Sequence, residues 1–184
     1  MVYPIIVYGD PVLKRQAENI KQEDGDIKQL VADMYETMYA ASGVGLAAPQ
    51  IGKPWRIFVV DAEPMDEENL KGFKKVFINP EIVEETGEEW AYEEGCLSIP
   101  GIRADVSRPE RVRIKYYDEN WNQHDEVFEG LAARVIQHEY DHLEGVLFTD
   151  YLSAFKKRLL KTKLNNISKG QVRTDYRILA PIRK

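Results

Sequence analysis

The chain has 184 residues, a net charge of −6 and one cysteine, and 43% of its residues are hydrophobic. These values fit a single domain, 1–184, with a sizeable core, and one cysteine excludes an intrachain disulfide scaffold. No stretch approaches the ~20 apolar residues that cross a bilayer, and the segment from Met1 to Asp10 lacks the basic start of a secretory signal. We therefore expect a cytoplasmic protein with no membrane partner.

The predicted elements run in the order helix, strands, helix, helix. Apolar residues recur with helical spacing from Asp26 to Ala41. Strands are predicted from buried or alternating apolar runs at 56–60, at 76–78, at 111–117 and ending at 127–128. A helix with two histidines follows, and Ser153 is expected to cap a last helix. Strands clustered between helices favour an α+β fold over regularly alternating α/β.

A run of small residues, GVGLAAPQ at 43–50, follows the first predicted helix. Such a run suits a loop that passes close to a ligand or to another backbone. It lacks the lysine and hydroxyl residue of a phosphate-binding loop, so a nucleotide site is not expected. A simple helix cap explains Gly43, but it does not explain the run to Gln50. The Gln50 amide could donate a hydrogen bond to a substrate carbonyl.

Two of the three histidines, His138 and His142, lie four residues apart in the sequence HEYDH. On a helix this spacing places both imidazoles on one face, where they could bind one metal ion. Glu139 lies beside the first histidine and could reach a metal-bound water. The alternative is two histidines that serve only packing or solvation, but uncoordinated histidines and carboxylates in a mostly buried helix are costly. The third histidine, His124, is expected to be a solvated surface residue.

Two histidines leave a metal site incomplete, and the single cysteine is a candidate third ligand. Cys96 lies in the segment EGCLS at 94–98. A free cysteine is more often a small buried hydrophobic residue. Beside a histidine pair, however, one thiolate would give a tetrahedral set with an open position for water, which is typical of catalytic zinc-type sites.

Together the three segments resemble the peptide deformylase family. GVGLAAPQ at 43–50, EGCLS at 94–98 and QHEYDHLEG at 137–145 occur in the order of that family, and no motif position departs from its pattern. The resemblance extends from GDPVL at 9–13 to Phe148. It implies an α+β fold in which short, mostly antiparallel sheets surround a central helix that carries the metal motif.

The resemblance also implies an activity and a cofactor. The enzyme would hydrolyse the N-formyl group from the formyl-methionine end of nascent polypeptides and release formate. Cys96, His138 and His142 would hold one divalent metal ion per chain. Ferrous iron would be the ion in vivo, and zinc, nickel or cobalt could occupy purified protein.

Further roles follow from the same resemblance. Glu139 would act as general base and then general acid as a metal-bound water attacks the formyl carbon. The Gln50 side chain and the Leu97 backbone N–H would stabilise the oxyanion. Gly45 backbone groups would hold the peptide in an extended pose.

Selectivity for methionine requires an apolar pocket near the metal. The candidates are Val44, Leu131 and Val135, although ordinary core packing would explain them equally well. Arg103 could contact the peptide backbone. Glu94 and Arg108 could form an ion pair that fixes the Cys96 loop.

The C-terminal segment differs in charge from the rest of the chain. From Lys156 onward there are ten Lys or Arg residues and one acid, Asp175, giving +9, whereas the preceding residues carry −15. A basic helix and tail from about residue 152 could be a solvated surface. It could also dock on ribosomal RNA near the exit tunnel. No DNA partner is expected.

Two other functional classes remain open at this point. One is a metallopeptidase that cleaves internal peptide bonds, although such enzymes generally use Glu or His rather than a cysteine as third ligand. The other is a non-enzymatic metal-binding or ribosome-associated protein. Glu139 and Gln50 argue against the second class, because a metal site alone needs neither.

Overall fold

The structure, a computed structural model, describes residues 1–181. Three α-helices are present in this range: α1 (Ile27–Ala40), α2 (Gly130–Leu143) and α3 (Ala154–Ser168). The strands are β1 (Ile5–Ile6), β2 (Gly45–Ala47), β3 (Ile57–Asp61), β4 (Lys74–Cys96), β5 (Ile99–Tyr117), β6 (Gln123–Glu129) and β7 (Ile178–Leu179). Strands β2 to β6 form one antiparallel sheet in sequence order, and β1 pairs with β7 in parallel. The predicted α+β fold with a mostly antiparallel sheet is confirmed.

Helix α1 forms where the sequence predicted it. The Asp26 side chain accepts a hydrogen bond from the Gln29 N–H at 3.0 Å, which satisfies a free donor of the first turn. The helix ends at Ala40, and the Gly43 N–H donates to the Met38 carbonyl at 2.9 Å. The left-handed residue at this end is Ser42, with φ of 56°, rather than the expected Gly43.

The central hairpin is much longer than the sequence predicted. Strands β4 and β5 extend over 23 and 19 residues, and the predicted strands at 76–78 and 111–117 are only parts of them. The register shifts at several places along the pair, for example between Thr86 and Glu89. Each shift interrupts the alternation of buried and exposed residues, so the pattern does not reveal one continuous strand.

The apolar core lies on the faces of the sheet. One cluster joins α1 to the sheet through residues such as Met34 and Val59, and a second joins α2 to the sheet through Phe58 and Ile136. Helix α2 is therefore buried along much of its length. This burial fixes the helix that carries both motif histidines.

The C-terminal helix α3 is mostly exposed. Ser153 caps it as predicted, with its hydroxyl accepting from the Lys156 N–H at 3.2 Å. Its buried residues all lie near its end, where Leu164 and Ile167 contact the core. Of the basic tail, Arg183 and Lys184 lie outside the described residues. Within 1–181, no helix combines the length and the apolar character needed to cross a membrane.

His124 differs from the expected solvated residue. It lies on β6, and its ring stacks on Tyr116 with 5.0 Å between ring centroids. Its Nε2 is 2.8 Å from Oδ2 of Asp118. The ring is thus half-buried and partnered rather than solvated.

Candidate active site

The structure brings the three predicted metal ligands together. His138 and His142 lie on one face of α2, and Cys96 is the last residue of β4. Their ligand atoms lie within 4.8 Å of one another, and Cys96 Sγ is 3.4 Å from His142 Nε2. Leu97 and Ser98 form the two-residue turn that joins β4 to β5, so the thiol stands at the tip of the long hairpin.

Glu94 organises the charges behind this cluster. Its carboxylate accepts two hydrogen bonds from Arg108, at 2.7 and 3.0 Å, and one from Arg134 at 2.8 Å. His138 Nδ1 lies 2.8 Å from the same carboxylate. Burial alone would raise the pKa of Glu94, but the hydrogen bonds from His138 and Arg108 outweigh it and lower the pKa. The carboxylate is therefore charged and orients the His138 ring, whose other nitrogen is left for a metal.

Sequence reasoning anticipated the Glu94–Arg108 pair but missed Arg134. Arg134 is 2% exposed, and it also donates to the carbonyls of Val106 at 2.7 Å and Trp90 at 2.6 Å. Its guanidinium carbon lies 4.6 Å from the centroid of the Trp90 ring. The available signal was an arginine on an otherwise apolar stretch of α2, because a buried charge requires a partner.

Glu139 lies between the loop of small residues and the predicted metal ligands. The residue is 4% exposed, and its Oε1 is 4.0 Å from His138 Nε2. Burial raises the pKa of Glu139 to about 7. Its Oε2 has no hydrogen-bond partner among residues 1–181. A Cβ at Gly45 would lie only 2.6 Å from Oε1, so the glycine leaves room for this carboxylate.

Gln50 is held with its amide nitrogen towards the cluster. It is 1% exposed and lies in a short 3₁₀ helix, Ala48–Ile51, that follows β2. Its Oε1 accepts from the Ala47 N–H at 3.0 Å, which fixes which end of the amide is the donor. Its Nε2 donates to Ser98 Oγ at 3.1 Å and lies 3.5 Å from Cys96 Sγ.

A cleft of about 580 Å³ opens onto these residues. Among the residues predicted to bind substrate, its lining includes Val44, Gly45, Val135 and Arg103. The exposed Arg103 pairs with Glu93, at 2.9 Å between Nε and Oε1. Sequence reasoning missed a further wall of the cleft, which is formed by residues 173–176.

Leu131 is not brought to the cleft. It borders a separate depression together with Leu70 and Trp90. Leu131 precedes His138 by two helical turns, about 10 Å along the axis, which places it beyond the pocket although it shares the same side of the helix.

The cluster fits a metal cation. A thiol and two imidazoles are a ligand set typical of divalent transition metals. Burial lowers the pKa of His142, which keeps its ring in the neutral form that binds metals. Burial also acts against a charge on His138, but the hydrogen bonds to Cys96 and Glu94 outweigh it and raise the pKa. The same negative surroundings favour a bound cation.

Comparisons with known proteins agree with this geometry. The family model described as polypeptide deformylase matches residues 2–158. A peptide deformylase of Cytophaga hutchinsonii is 58% identical and covers 100% of both chains, and one of Christiangramia forsetii is 55% identical over 98% of this chain and 97% of its own. The crystal structure of a Thermus thermophilus peptide deformylase superposes with a TM-score of 0.83 at 42% identity, covering 92% of this chain and 99% of that one. A Plasmodium falciparum peptide deformylase in complex with an inhibitor superposes with a TM-score of 0.78 at 38% identity, covering 90% of this chain and 99% of that one. The chain therefore belongs to the peptide deformylase family of enzymes, which confirms the prediction drawn from its three motifs.

Proposed function

We propose that this protein hydrolyses the N-formyl group of the formyl-methionine that begins nascent polypeptides, and that it uses one divalent metal ion. The products are formate and a free amino terminus. The observation that carries this proposal is the convergence of Cys96, His138 and His142 with Glu139 and Gln50 at one cleft. A simple metal-binding protein would need no buried carboxylate and amide beside its ligands.

Cys96, His138 and His142 are the residues that would hold the ion. When bound, the ion supplies Lewis-acid chemistry, which polarises the formyl carbonyl and makes water a better nucleophile near neutral pH. Ferrous iron is the proposed physiological ion, and zinc, nickel or cobalt are proposed alternatives in purified protein. A reduced thiol at Cys96 suits a cytoplasmic location.

Glu139 moves the proton in this reaction. Its Oε2 is buried and without a partner among the described residues, so it is available to accept a proton from the attacking water. The same carboxyl group then returns the proton to the departing amine nitrogen, which would otherwise leave as an unstable anion. Gly45 leaves the space that this carboxyl group occupies, since a Cβ there would lie 2.6 Å from its Oε1.

Gln50 and Leu97 stabilise the negative charge that develops on the formyl oxygen. The Gln50 amide is orientated in advance by Ala47, so its donor end faces the Cys96 side of the cleft. The Leu97 N–H belongs to the residue that directly follows Cys96. Donors fixed before the reaction cost no reorganisation when the charge forms.

The peptide is proposed to lie along the cleft. Val44 and Val135 would provide apolar walls for the methionine side chain, the Gly45 backbone would hold the extended chain, and Arg103 would face its backbone. Leu131 has no part in this proposal, because it lies outside the cleft. We further propose that 1–184 act as one catalytic domain, since the pairing of β1 with β7 ties the C-terminal segment to the N-terminal one.

The basic surface of α3 is proposed to dock on ribosomal RNA near the exit tunnel. It presents exposed cations at Lys156, Lys157, Arg158, Lys161 and Lys163. Reversing the first three to glutamate should abolish salt-sensitive cosedimentation with ribosomes and leave turnover of a small formyl peptide unchanged. Undiminished cosedimentation would contradict this docking.

The decisive experiment measures formate release from a formyl-methionyl peptide by anaerobically purified protein, with metal content read on the same sample. Release should stop with a chelator and return with ferrous iron. A metal-loaded Glu139→Ala protein should be nearly inactive, and wild-type-like turnover would refute the role of Glu139. No release from fully metal-loaded wild type, together with cleavage of an internally quenched peptide, would favour the metallopeptidase alternative.

A further inference from the structure

The segment 171–181, here called the C-terminal strap, forms one wall of the cleft through its residues 173–176. After α3 the chain turns at Gly170, with φ of 73°, and runs back across the N-terminal segment. The Ile5 N–H donates to the Arg177 carbonyl at 2.9 Å, and the Val7 N–H donates to the Leu179 carbonyl at 3.2 Å. These bonds anchor the strap just beyond the four residues that line the cleft. The strap lies outside the range 2–158 matched by the family model.

One strap residue reaches the turn of Leu97 and Ser98, which follows Cys96. The Tyr176 hydroxyl donates to the Leu97 carbonyl at 2.7 Å, and both side chains pack against the same core cluster. The ring is half-buried, and burial raises the pKa of Tyr176 to about 12. The hydroxyl is therefore protonated and remains a donor throughout the neutral range.

The turn of Leu97 and Ser98 is held from three directions. The Tyr8 N–H donates to the Ser98 carbonyl at 2.8 Å, and the Gln50 side chain donates to Ser98 Oγ at 3.1 Å. Both of these contacts fix Ser98. Only the Tyr176 hydroxyl, among the hydrogen bonds that reach the turn from outside the hairpin in residues 1–181, is made to Leu97 itself.

We propose that Tyr176 is a positioning residue, which fixes the orientation of the Leu97 backbone and thereby the placement of its N–H and of the adjacent Cys96 thiol. The inference rests on the proposed function, in which that N–H stabilises the oxyanion. A two-residue turn has few internal restraints, so rotation about Leu97 would move the donor and the thiol together. The strap thus links the C-terminal segment of the chain to the reacting centre.

The test compares Tyr176→Phe with wild type and with Tyr116→Phe. Phenylalanine keeps the ring and its packing but removes the hydroxyl. Tyr116 is the matched control, because its hydroxyl also makes one hydrogen bond, to Glu126 at 3.1 Å, and it lies outside the cleft. In Tyr176→Phe, kcat for a formyl-methionyl peptide should fall about 3- to 10-fold, as expected for one lost neutral hydrogen bond. KM should stay within about twofold, since the lost interaction acts on the oxyanion donor rather than on ground-state binding.

A second readout does not depend on turnover. Each protein is loaded with cobalt(II), and the thiolate-to-cobalt absorption band reports the placement of Cys96. The band should shift in Tyr176→Phe and not in Tyr116→Phe. An unchanged kcat in Tyr176→Phe overturns the positioning role. If wild type itself releases no formate, the proposed function fails, and an unchanged cobalt band then overturns the positioning role separately.

Discussion

A single methyl group at Gly45 should disable the enzyme by displacing Glu139. A Cβ built at this position would lie 2.6 Å from Oε1, 2.8 Å from Cγ and 2.9 Å from Cδ of Glu139. Because three atoms of one side chain are too close, rotation of the carboxylate alone does not relieve the contact. The φ of Gly45 is not in the left-handed region, so alanine brings no backbone strain of its own.

The magnitude follows from the displacement. Ordinary contacts of a Cβ lie at 3.4–4 Å, so the nearest oxygen must move by at least about 0.8 Å. A displacement of roughly 1 Å at a catalytic group costs on the order of 100-fold in rate. Crowding a packed site by one methyl group also destabilises the fold by about 1–3 kcal/mol. Gly45→Ala should therefore retain metal but lose about two orders of magnitude in kcat/KM.

Gly43→Ala is the matched control. Its Cβ would meet Leu97 Cδ1 at 2.9 Å, the end of a flexible side chain that can change rotamer. A rotamer adjustment costs about 0.5–1.5 kcal/mol, so this variant should lose no more than about tenfold. Formate release and metal content measured on both variants separate misplacement of Glu139 from general damage to the loop.

A double-mutant cycle tests whether the steric clash in Gly45→Ala is with the Glu139 side chain. The unfolding free energy is measured for Gly45→Ala in the wild-type background and in a Glu139→Ala background. The glycine substitution should be costly in the first and nearly neutral in the second, because the crowding atoms are gone. Equal losses of unfolding free energy in both backgrounds would refute a clash with Glu139. A kcat of Gly45→Ala within twofold of wild type would refute the displacement of a catalytic group.

Four further outcomes are expected. Glu94→Gln should destabilise the protein by about 3–5 kcal/mol at neutral pH, since it leaves buried guanidinium groups without their carboxylate; chemical denaturation measures this. The pKa of Glu94 is lowered on folding, so its charged form stabilises the fold. This stabilisation is complete at pH values above the usual pKa of 4.5 and is lost as the pH falls below it. The difference in stability between wild type and Glu94→Gln should therefore become smaller below pH 4.5, as measured by thermal denaturation. A difference that stays constant with pH would contradict this expectation. Gln50→Ala should bind metal but release formate about 100- to 1,000-fold more slowly. Gly145→Ala should unfold at a lower denaturant concentration than Gly130→Ala. Gly145 has φ of 74°, and a Cβ there would lie 2.6 Å from the Lys14 carbonyl oxygen. Gly130 has φ of 62° but no atom within 4 Å of such a Cβ, so its substitution should destabilise the fold by only about 1–2 kcal/mol.

The clustering of the proposed metal ligands could be predicted from the sequence, because a local rule places two of the three side by side. A spacing of four residues on a helix is enough to place His138 beside His142. Cys96 could be added because it is the single cysteine of the chain. The orientation of Gln50 also depends largely on a local contact, with Ala47 three residues before it.

Other parts of the site depend on contacts between distant segments, which a pattern does not reveal. Arg134 stands out in the sequence as an arginine on an apolar stretch of α2, but its partner Glu94, forty residues earlier, is not evident from the pattern. Tyr176 meets Leu97 only because the strap folds back over β1. Leu131 differs in another way, since helix spacing suggested it for the cleft but its distance along the axis placed it outside.

The division of the three proposed metal ligands between two elements would give a bound ion a second role. Cys96 stands at the tip of the hairpin, whereas His138 and His142 belong to the buried helix α2. A cation held by all three is a cross-link that closes the long loop from Cys96 to His138. Because the unfolded chain does not present this site, metal binding adds to the free energy of folding, by about 2.7 kcal/mol when free metal is at 100 times Kd. Depletion of the metal should therefore lower the melting temperature and increase hydrogen exchange at the hairpin tip, so that the cell would lose the catalyst and the rigidity of its fold in one step.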